Sequence, residues 1–258
     1  YKLVETPYLG MEHQSAVAYG NKYKNGYLGS DLSNSGVGLK FDYIIIHESG
    51  HEWFGNSITS ADIADMWIHE GFTQYSEIVY IECTQSYEKA MLYAKGLRFN
   101  VQNDSPIIGQ FGVNNEGSGD MYPKGALLLN TLRHVVNNDN LWWKTIKEYA
   151  ETYKHKIIDT QTVVNFFNQK TGMNLTPIFN QYLKYTSIPK LELRQNGKKL
   201  YYKWITEEPN FEMPVELLCN GETIRLNATN KEQKIKVKPD AIKTIENTPK
   251  FYISIDKK

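Results

Sequence analysis

The fold of this chain is decided by one stretch of sequence, HESGHEWFGN at residues 47–56. An apolar run precedes it and Asp42 is a good N-cap, so the pattern predicts a helix over Tyr43–Phe54 that stops at the following Gly-Asn pair. On that helix His47 and His51 are separated by one turn and lie on the same face. Both imidazoles can therefore reach a single metal ion.

A second predicted helix, Trp67–Ile81, offers a third ligand in Glu70. The chain between the two motifs is long enough for a helix end, a loop and an antiparallel return that brings this carboxylate to the ion. A short H-E-x-x-H match also occurs by chance. The alternative to a metal site is a pair of surface histidines on an ordinary helix. Apolar flanks favour ligation, because a buried helix rarely carries two histidines and a glutamate that have no partner.

The three protein ligands His47, His51 and Glu70 leave a fourth coordination position for water, an arrangement typical of catalytic zinc. We therefore predict one Zn²⁺ per chain. Glu48 is the candidate general base that takes a proton from the water. Glu77 lies two turns after Glu70 on the same helix face and is a candidate hydrogen-bond acceptor for a ligating histidine. The same spacing also fits a solvated surface glutamate.

The remaining sequence predicts strands and loops first and helices afterwards. Residues 1–40 have the composition of irregular strands and loops. Pro177 suits a first helical turn. The further predicted helices are Tyr87–Phe99, Lys124–Val136, Leu141–Lys154, Thr160–Lys170 with Thr160 as N-cap, and Thr176–Tyr185.

The last third of the chain has the pattern of a small β structure. Asn-Gly pairs at 196–197 and 220–221 separate β-prone runs, which is a strong hairpin signal, and Phe251–Ile255 is the last predicted strand. We expect an α+β chain with two domains. Residues 1–187 form a mainly helical zinc catalytic domain with an N-terminal β portion, and residues 188–258 form a small antiparallel β-sandwich.

Composition and charge exclude several classes of partner. The 258 residues contain 29 Lys and Arg against 29 Asp and Glu, so neither nucleic acid nor an acidic membrane surface is predicted as a partner. No targeting sequence is visible, and no apolar run approaches the ~18–20 residues that span a membrane. Cys83 and Cys219 are read as unlinked thiols. Because the chain begins at Tyr1 rather than Met, we read it as a piece of a longer protein whose cellular location is unknown.

The two metal-binding segments together resemble the gluzincin aminopeptidases of the aminopeptidase N family. That family has H-E-x-x-H-x-W-F-G-N followed, at the same spacing, by W-x-N-E-G-F, and this chain has WIHEGF at residues 67–72. The resemblance implies a thermolysin-like catalytic domain in which His47, His51 and Glu70 bind zinc and Glu48 is the base. A His replaces the family's Asn in the second motif, which leaves the ligand set intact.

Two further family motifs have counterparts. The family's G-x-M-E-N strand is matched by LGMEH at residues 9–13, which departs from it at the Gly and Asn positions. The resemblance implies that Glu12 binds the free α-amine of the substrate, while Gly10 and Met11 line the substrate cleft. The family's Y-x-K-G-A segment is matched by YPKGA, and the resemblance gives the hydroxyl of Tyr122 the role of steadying the oxyanion.

These motifs imply a zinc aminopeptidase that acts on peptides with a free N-terminus. The family's N-terminal β domain and C-terminal helical domain are missing here, so we expect parts of the parent chain to complete the cleft. Two alternatives stay open. One is another zinc hydrolase, such as an endopeptidase or an epoxide hydrolase, and the other is a non-catalytic interaction domain on the same scaffold.

Overall fold

The computed structural model describes all 258 residues and shows seven α-helices and twelve strands. The helices are α1 (Tyr43–Gly50), α2 (Trp67–Thr84), α3 (Tyr87–Leu97), α4 (Pro123–Val136), α5 (Asp139–Thr152), α6 (Thr160–Thr171) and α7 (Thr176–Lys184). The strands are β1 (Leu3–Glu5), β2 (Gly10–Met11), β3 (Val17–Tyr19), β4 (Ile58–Ser60), β5 (Lys156–Ile158), β6 (Lys190–Asn196), β7 (Lys199–Ile205), β8 (Glu212–Cys219), β9 (Glu222–Thr229), β10 (Gln233–Lys236), β11 (Glu246–Asn247) and β12 (Ser254–Lys257).

Helix α2 lies at the centre of the helical part and packs against α1, α3 and α4. Its contact with α4 is very close, because a Cβ added to Gly125 would lie 2.9 Å from the Cα of Gly71. An aromatic cluster fills the space on another side, with the ring of Phe72 5.1 Å from that of Phe54 and 4.9 Å from that of Tyr149. The helix that carries Glu70 is therefore held by backbone contact on one side and by stacked rings on the other.

The N-terminal β portion is a three-stranded sheet in the order β1-β3-β2, in which β1 is parallel and β2 antiparallel to β3. Strand β3 is buried and ends beside the start of α1, where the hydroxyl of Tyr19 donates to Asp42. The side chain of Asp42 in turn accepts from the backbone N–H of Ile45 and caps α1. The sheet and the first helix are thus joined at one residue.

The C-terminal part contains two sheets, in the orders β10-β7-β6-β12 and β11-β8-β9. The hairpin between β8 and β9 turns at Asn220 and Gly221, both with positive φ, as the Asn-Gly pattern predicts. The hairpin between β6 and β7 also forms, but its register places the turn at Gly197 and Lys198. The pairs within each sheet are antiparallel except that of β12 with β6, which is parallel.

The last predicted strand is wrong in its position. The strand begins at Ser254, while the residues before it are buried without joining a sheet ladder. Their backbone groups bond to helix side chains, because Arg98 and Tyr182 donate to the carbonyls of Phe251 and Tyr252. These long-range hydrogen bonds replace strand pairing, and the sequence near Phe251 contains no pattern that predicts them.

Several helix boundaries also differ from the prediction by a few residues, and two of the differences have a clear cause. Helix α1 ends at Gly50 rather than Phe54, because the chain turns so that the carbonyl of Phe54 faces the ring of His51. The N-cap of α6 is Asp159 rather than Thr160, since the carboxylate of Asp159 accepts from the backbone of the third residue after it. The alternation of core and surface residues predicts where a helix lies more accurately than it predicts the first and last residue of that helix.

The domain division at residue 188 stays a prediction. It falls in the connection between α7 and β6, yet hydrogen bonds cross it, for example from Arg225 to the carbonyls of His134 and Val135. Both cysteines are free, as predicted. Among the seven helices we find none with both the length and the apolar character needed to cross a lipid bilayer.

Candidate metal centre and active site

Three buried side chains on two helices converge on one point. The Nε2 atoms of His47 and His51 are 3.3 Å apart, and both lie close to Oε2 of Glu70, at 3.3 and 3.2 Å. Tetrahedral zinc with bonds of about 2.0–2.1 Å requires neighbouring donor atoms roughly 3.3 Å apart. The two nitrogens and one oxygen therefore have the spacing and the chemistry of three tetrahedral zinc ligands.

The opposite nitrogen of each ring is engaged by a hydrogen bond that fixes the tautomer. Nδ1 of His47 donates to Oε1 of Glu77 at 2.8 Å, and Nδ1 of His51 donates to the carbonyl of Phe54 at 2.9 Å. Because Nδ1 is the donor to these partners, the Nε2 atom of each ring faces the shared centre, where it can bind a metal once it carries no proton. Glu77 is completely buried, which excludes the alternative of a solvated surface carboxylate.

Sequence reasoning missed the residues that hold these partners in place. The hydroxyl of Tyr93 on α3 donates to the second oxygen of Glu77 at 2.6 Å. The ring of Tyr43 stacks on His47, with centroids 5.3 Å apart. Tyr43 lies one turn before His47 and could have been found from its helical spacing, whereas Tyr93 has no sequence signal because only tertiary packing brings α3 to this point.

The electrostatics of the three ligands are strongly coupled. Burial lowers the pKa of His47, but its hydrogen bonds to Glu70 and Glu77 outweigh burial and raise that pKa. Burial raises the pKa of Glu70, but hydrogen bonds from His47 and His51 outweigh it and lower that pKa. Without an ion the centre favours charge separation, so a metal cation that binds here replaces a proton.

Glu48 lies beside the centre rather than in it. Its side chain is buried, and burial raises the pKa of its carboxyl, while His47 and His51 oppose that rise. A Cβ added to Gly10 would lie 2.8 Å from Oε1 of Glu48. The absence of a side chain at Gly10 therefore leaves the space that the carboxylate of Glu48 occupies.

Glu12 approaches the same centre from the N-terminal sheet. Ligand-type atoms of Glu12, Glu48 and His51 all lie within 4.8 Å of one another. Glu12 directly follows β2, and its carbonyl accepts from the side chain of Asn56 at 2.8 Å. Asn56, predicted only as part of a helix stop, thus ties the segment with Glu12 to the end of the zinc-binding motif, while Met11 is partly exposed at the rim.

Tyr122 lies on the other flank, immediately before α4. Its ring stacks on His47 with centroids 5.9 Å apart. Burial and then the charge of Glu70 raise its pKa well above the ordinary value, so the phenol stays protonated and can donate. The predicted site residues thus lie around one candidate metal centre. His69, which replaces the family's Asn, accepts from the backbone N–H of Ser60.

Comparison with known proteins agrees with this geometry. Residues 3–182 match the family model described as the peptidase family M1 domain. This chain belongs to peptidase family M1. The resemblance drawn from the zinc motifs is thereby confirmed, and so is the α+β fold class.

Curated relatives of this M1 chain are aminopeptidases. It is 24% identical to mouse aminopeptidase B over 201 residues, which cover 66% of this chain and 31% of the relative. It is 28% identical to mouse endoplasmic reticulum aminopeptidase 1 over 136 residues, which cover 49% of this chain and 14% of the relative. The M1 chain therefore spans less than a third of the length of these relatives.

Solved structures agree with the fold of the M1 chain. A mutant M1 zinc metallopeptidase from Deinococcus radiodurans, bound to a Tyr-Ser-Ala substrate, superposes with a TM-score of 0.58 at 21% identity, covering 73% of this chain and 40% of that one. Aminopeptidase A of Legionella pneumophila, in complex with aspartic acid, superposes with a TM-score of 0.70 at 12% identity. That match covers 99% of this chain and 32% of the other.

Proposed function

We propose that this chain is the catalytic part of a zinc-dependent aminopeptidase, which removes the first residue from peptides with a free N-terminus. One observation carries the proposal: three ligand atoms lie at tetrahedral spacing, and two further carboxylates, those of Glu48 and Glu12, lie beside one of them at His51. Membership of the M1 family and the aminopeptidase relatives support the same function.

One Zn²⁺ per chain fits the site, with His47, His51 and Glu70 as its ligands. Two neutral imidazoles and one carboxylate form a donor set that suits zinc and leaves a fourth position open. When bound, zinc supplies Lewis-acid chemistry, in that it makes water acidic enough to attack at neutral pH and polarises a carbonyl.

Glu48 acts as the general base. Its carboxylate takes a proton from the attacking water and delivers that proton to the nitrogen of the leaving peptide. Burial raises its pKa, which brings the carboxyl closer to neutral pH and suits a group that must both accept and release a proton.

Glu12 and Tyr122 contact different parts of the substrate's first residue, its α-ammonium and its carbonyl oxygen. The carboxylate of Glu12 pairs with the substrate's α-ammonium, a charge-assisted contact that selects for a free N-terminus. The backbone of Gly10 and Met11 lines the path of the first residue. The protonated hydroxyl of Tyr122 donates to the oxygen on which negative charge develops.

The direct test is Glu48→Gln, which preserves shape and removes the base. We expect kcat on a free-amine dipeptide to fall by about 10²–10⁴-fold, while one zinc per chain is retained. Glu88→Gln, on the exposed surface of α3, is the matched control and should leave kcat unchanged. Near-normal turnover by the Glu48 variant would exclude the proposed mechanism.

A second comparison separates an aminopeptidase from other zinc hydrolases. A free-amine substrate should be cleaved much faster than its N-acetylated form, and Glu12→Gln should reduce that difference while leaving zinc binding intact. A preference for the N-acetylated form would reject the role of Glu12 and favour an endopeptidase.

A further inference from the structure

A side cavity of about 410 Å³ opens next to the metal centre. We define the side cavity by five of the residues that line it: Tyr43, Gln74, Asp104, Asp120 and Tyr122. Its volume is within the range of sites that bind small molecules or single side chains. No Lys, Arg or His lines it, so its charged groups are carboxylates alone.

The side cavity begins on the side of His47 that faces away from Glu12, the residue proposed to bind the substrate's α-ammonium. Tyr43 and Tyr122 stack on His47 and form its inner wall, whereas Glu12 and Glu48 cluster around His51 and do not line it. Under the proposed function, on which this inference rests, the substrate's amine lies at Glu12 and its first carbonyl at the zinc. The second residue of the peptide then lies toward the side cavity.

Gln74 gives the side cavity an unused polar group. The residue lies on α2, one turn after Glu70, and only 3% of its surface is exposed. Its Oε1 is buried and has no hydrogen-bond partner. An unpaired buried acceptor destabilises the folded state, so a donor supplied by a ligand would satisfy a group that the protein leaves unsatisfied.

Asp104 gives the side cavity a free anionic oxygen. Its Oδ1 accepts from the hydroxyl of Ser118 at 2.6 Å and from the backbone of Ser105 at 2.9 Å, while Oδ2 has no partner. The hydrogen bond from Ser118 and then that from Ser105 lower the pKa of Asp104, so its carboxylate is charged at neutral pH.

The neighbouring charged groups already have hydrogen-bond partners of their own, although the charge of Lys124 contributes to the lowered pKa of Asp104. Asp120 is already satisfied, because both its oxygens accept from the backbone N–H groups of Gln102 and Asn103, at 2.8 and 2.6 Å. The ammonium of Lys124 lies outside the cavity wall and donates to two carbonyls at the end of α7. A cationic group in the side cavity would therefore meet one unpaired carboxylate oxygen and one unpaired amide oxygen.

We propose that the side cavity binds the side chain of the second residue of the peptide and selects arginine or lysine there through Asp104 and Gln74. A guanidinium or ammonium group supplies the donors that both oxygens lack, and it carries the charge that complements Asp104. The rings of Tyr43 and Tyr122 pack along the aliphatic stem of the same side chain.

A matched set of peptides tests this selection. Peptides that begin with Ala and differ only at the second position, as Arg, norleucine or Glu, are compared by kcat/KM. We expect Arg to exceed norleucine by about tenfold or more, because a hydrogen bond to a charged group contributes about 1.5–3 kcal/mol. Glu should be the poorest substrate of the three.

Two variants test whether Asp104 and Gln74 cause the preference for arginine. Asp104→Asn and Gln74→Leu should each lower the ratio of kcat/KM for the Arg peptide to that for the norleucine peptide about tenfold. Asp240→Asn, an exposed aspartate in the C-terminal part, is the control and should alter neither. Because Asp104 is exposed, its variant is expected to fold even if the Gln74 variant does not.

The outcomes separate this inference from the function on which it rests. Equal hydrolysis of all three peptides would leave the aminopeptidase proposal intact and overturn the selection of basic residues. Hydrolysis of none would reject the proposed function, and the side cavity would then be judged by binding alone. N-acetyl-arginine amide, followed by NMR, should bind the wild-type chain more tightly than N-acetyl-norleucine amide and lose that advantage in Asp104→Asn; absence of any difference in the wild-type chain would overturn the inference.

Discussion

The two imidazoles of the proposed zinc site are held by hydrogen bonds to residues that lie too far away to contact the ion. His47 is held by Glu77, and Glu77 is held by Tyr93. Such outer partners fix the ring orientation and raise the basicity of the ligand. At the scale of single residues, we therefore expect the affinity of the proposed site for zinc to depend on three linked side chains from three helices.

Removal of the inner partner should weaken zinc binding. For Glu77→Gln we expect a loss of about 10–100-fold in zinc affinity, measured by competition with a chromogenic chelator, and for Tyr93→Phe a smaller loss in the same direction. Tyr182→Phe removes a buried hydroxyl that bonds elsewhere and should not change the affinity. Unchanged affinity in the Glu77 variant would show that this hydrogen bond does not support the ligand.

His134 makes stability depend on pH for a reason unrelated to zinc. It is buried, its Nδ1 donates to the carbonyl of Asn130 and its Nε2 accepts from Tyr87. Burial lowers the pKa of His134 to about 4 in the folded chain, from 6.5 in the unfolded chain. The folded state therefore binds fewer protons than the unfolded state between these two values.

Because the folded state binds fewer protons, the free energy of unfolding decreases as the pH falls. The contribution of His134 is complete above pH 6.5, declines as the pH falls, and is lost below about 4, over a range of about 3 kcal/mol. His134→Gln should be less stable at pH 7 and lose less free energy of unfolding between pH 7 and 4, as measured by urea titration. The exposed His13→Gln should keep the wild-type slope, and an identical slope in the His134 variant would contradict the assignment.

At the scale of elements, the contact between α2 and α4 connects the two flanks of the site. Gly71 follows Glu70 on α2, and Gly125 lies in the first turn of α4 just after Tyr122. Because a Cβ on Gly125 would lie 2.9 Å from the Cα of Gly71, any side chain there pushes the helices apart. The two glycines therefore set the distance between Glu70, a proposed zinc ligand, and the hydroxyl of Tyr122.

Gly125→Ala tests this contact. Although alanine favours a helix by about 1 kcal/mol over glycine, overpacking typically costs about 1–3 kcal/mol, so we expect a net loss of stability and a lower kcat. Gly119→Ala is the control for stability in thermal unfolding, since a Cβ there meets nothing within 4 Å. A stabilised Gly125 variant would mean that the helices separate without cost.

The sequence predicts this site well where the signal is local. Helical spacing places His47, His51 and Glu77 correctly, and the Asn-Gly pattern locates the hairpin at Asn220. The partners that packing supplies carry no such signal, and Tyr93 is one of them. The same limit explains why the strand predicted at Phe251–Ile255 begins only at Ser254, since its first residues bond to side chains of distant helices.

At the scale of the whole molecule, the helical part and the C-terminal sheets share an interface. Arg98 and Tyr182 bond to the segment before β12, and the backbone of Tyr252 donates to the hydroxyl of Thr131 on α4. These groups would lose their partners if residues 188–258 were absent. The two predicted domains should therefore stabilise each other.

A truncated chain that ends at residue 187 tests whether the two predicted domains stabilise each other. We expect it to unfold at a lower temperature than the whole chain, because Arg98 and buried groups on α4 and α7 lose their partners. The whole chain should unfold in a single transition. Calorimetry checks both statements. Two separate transitions, or an unchanged Tm after truncation, would show that the predicted domains are independent.

We expect His47, His51 and Glu70 to bind one zinc ion, and diffraction at the zinc absorption edge tests this most directly. Crystals grown with one equivalent of zinc should show a single anomalous peak about 2.0–2.1 Å from the Nε2 atoms of both histidines and from a carboxylate oxygen of Glu70. Crystals of Glu70→Ala should show a much weaker peak at that position. A strong peak elsewhere in the wild-type chain, or none between these three side chains, would contradict the claim.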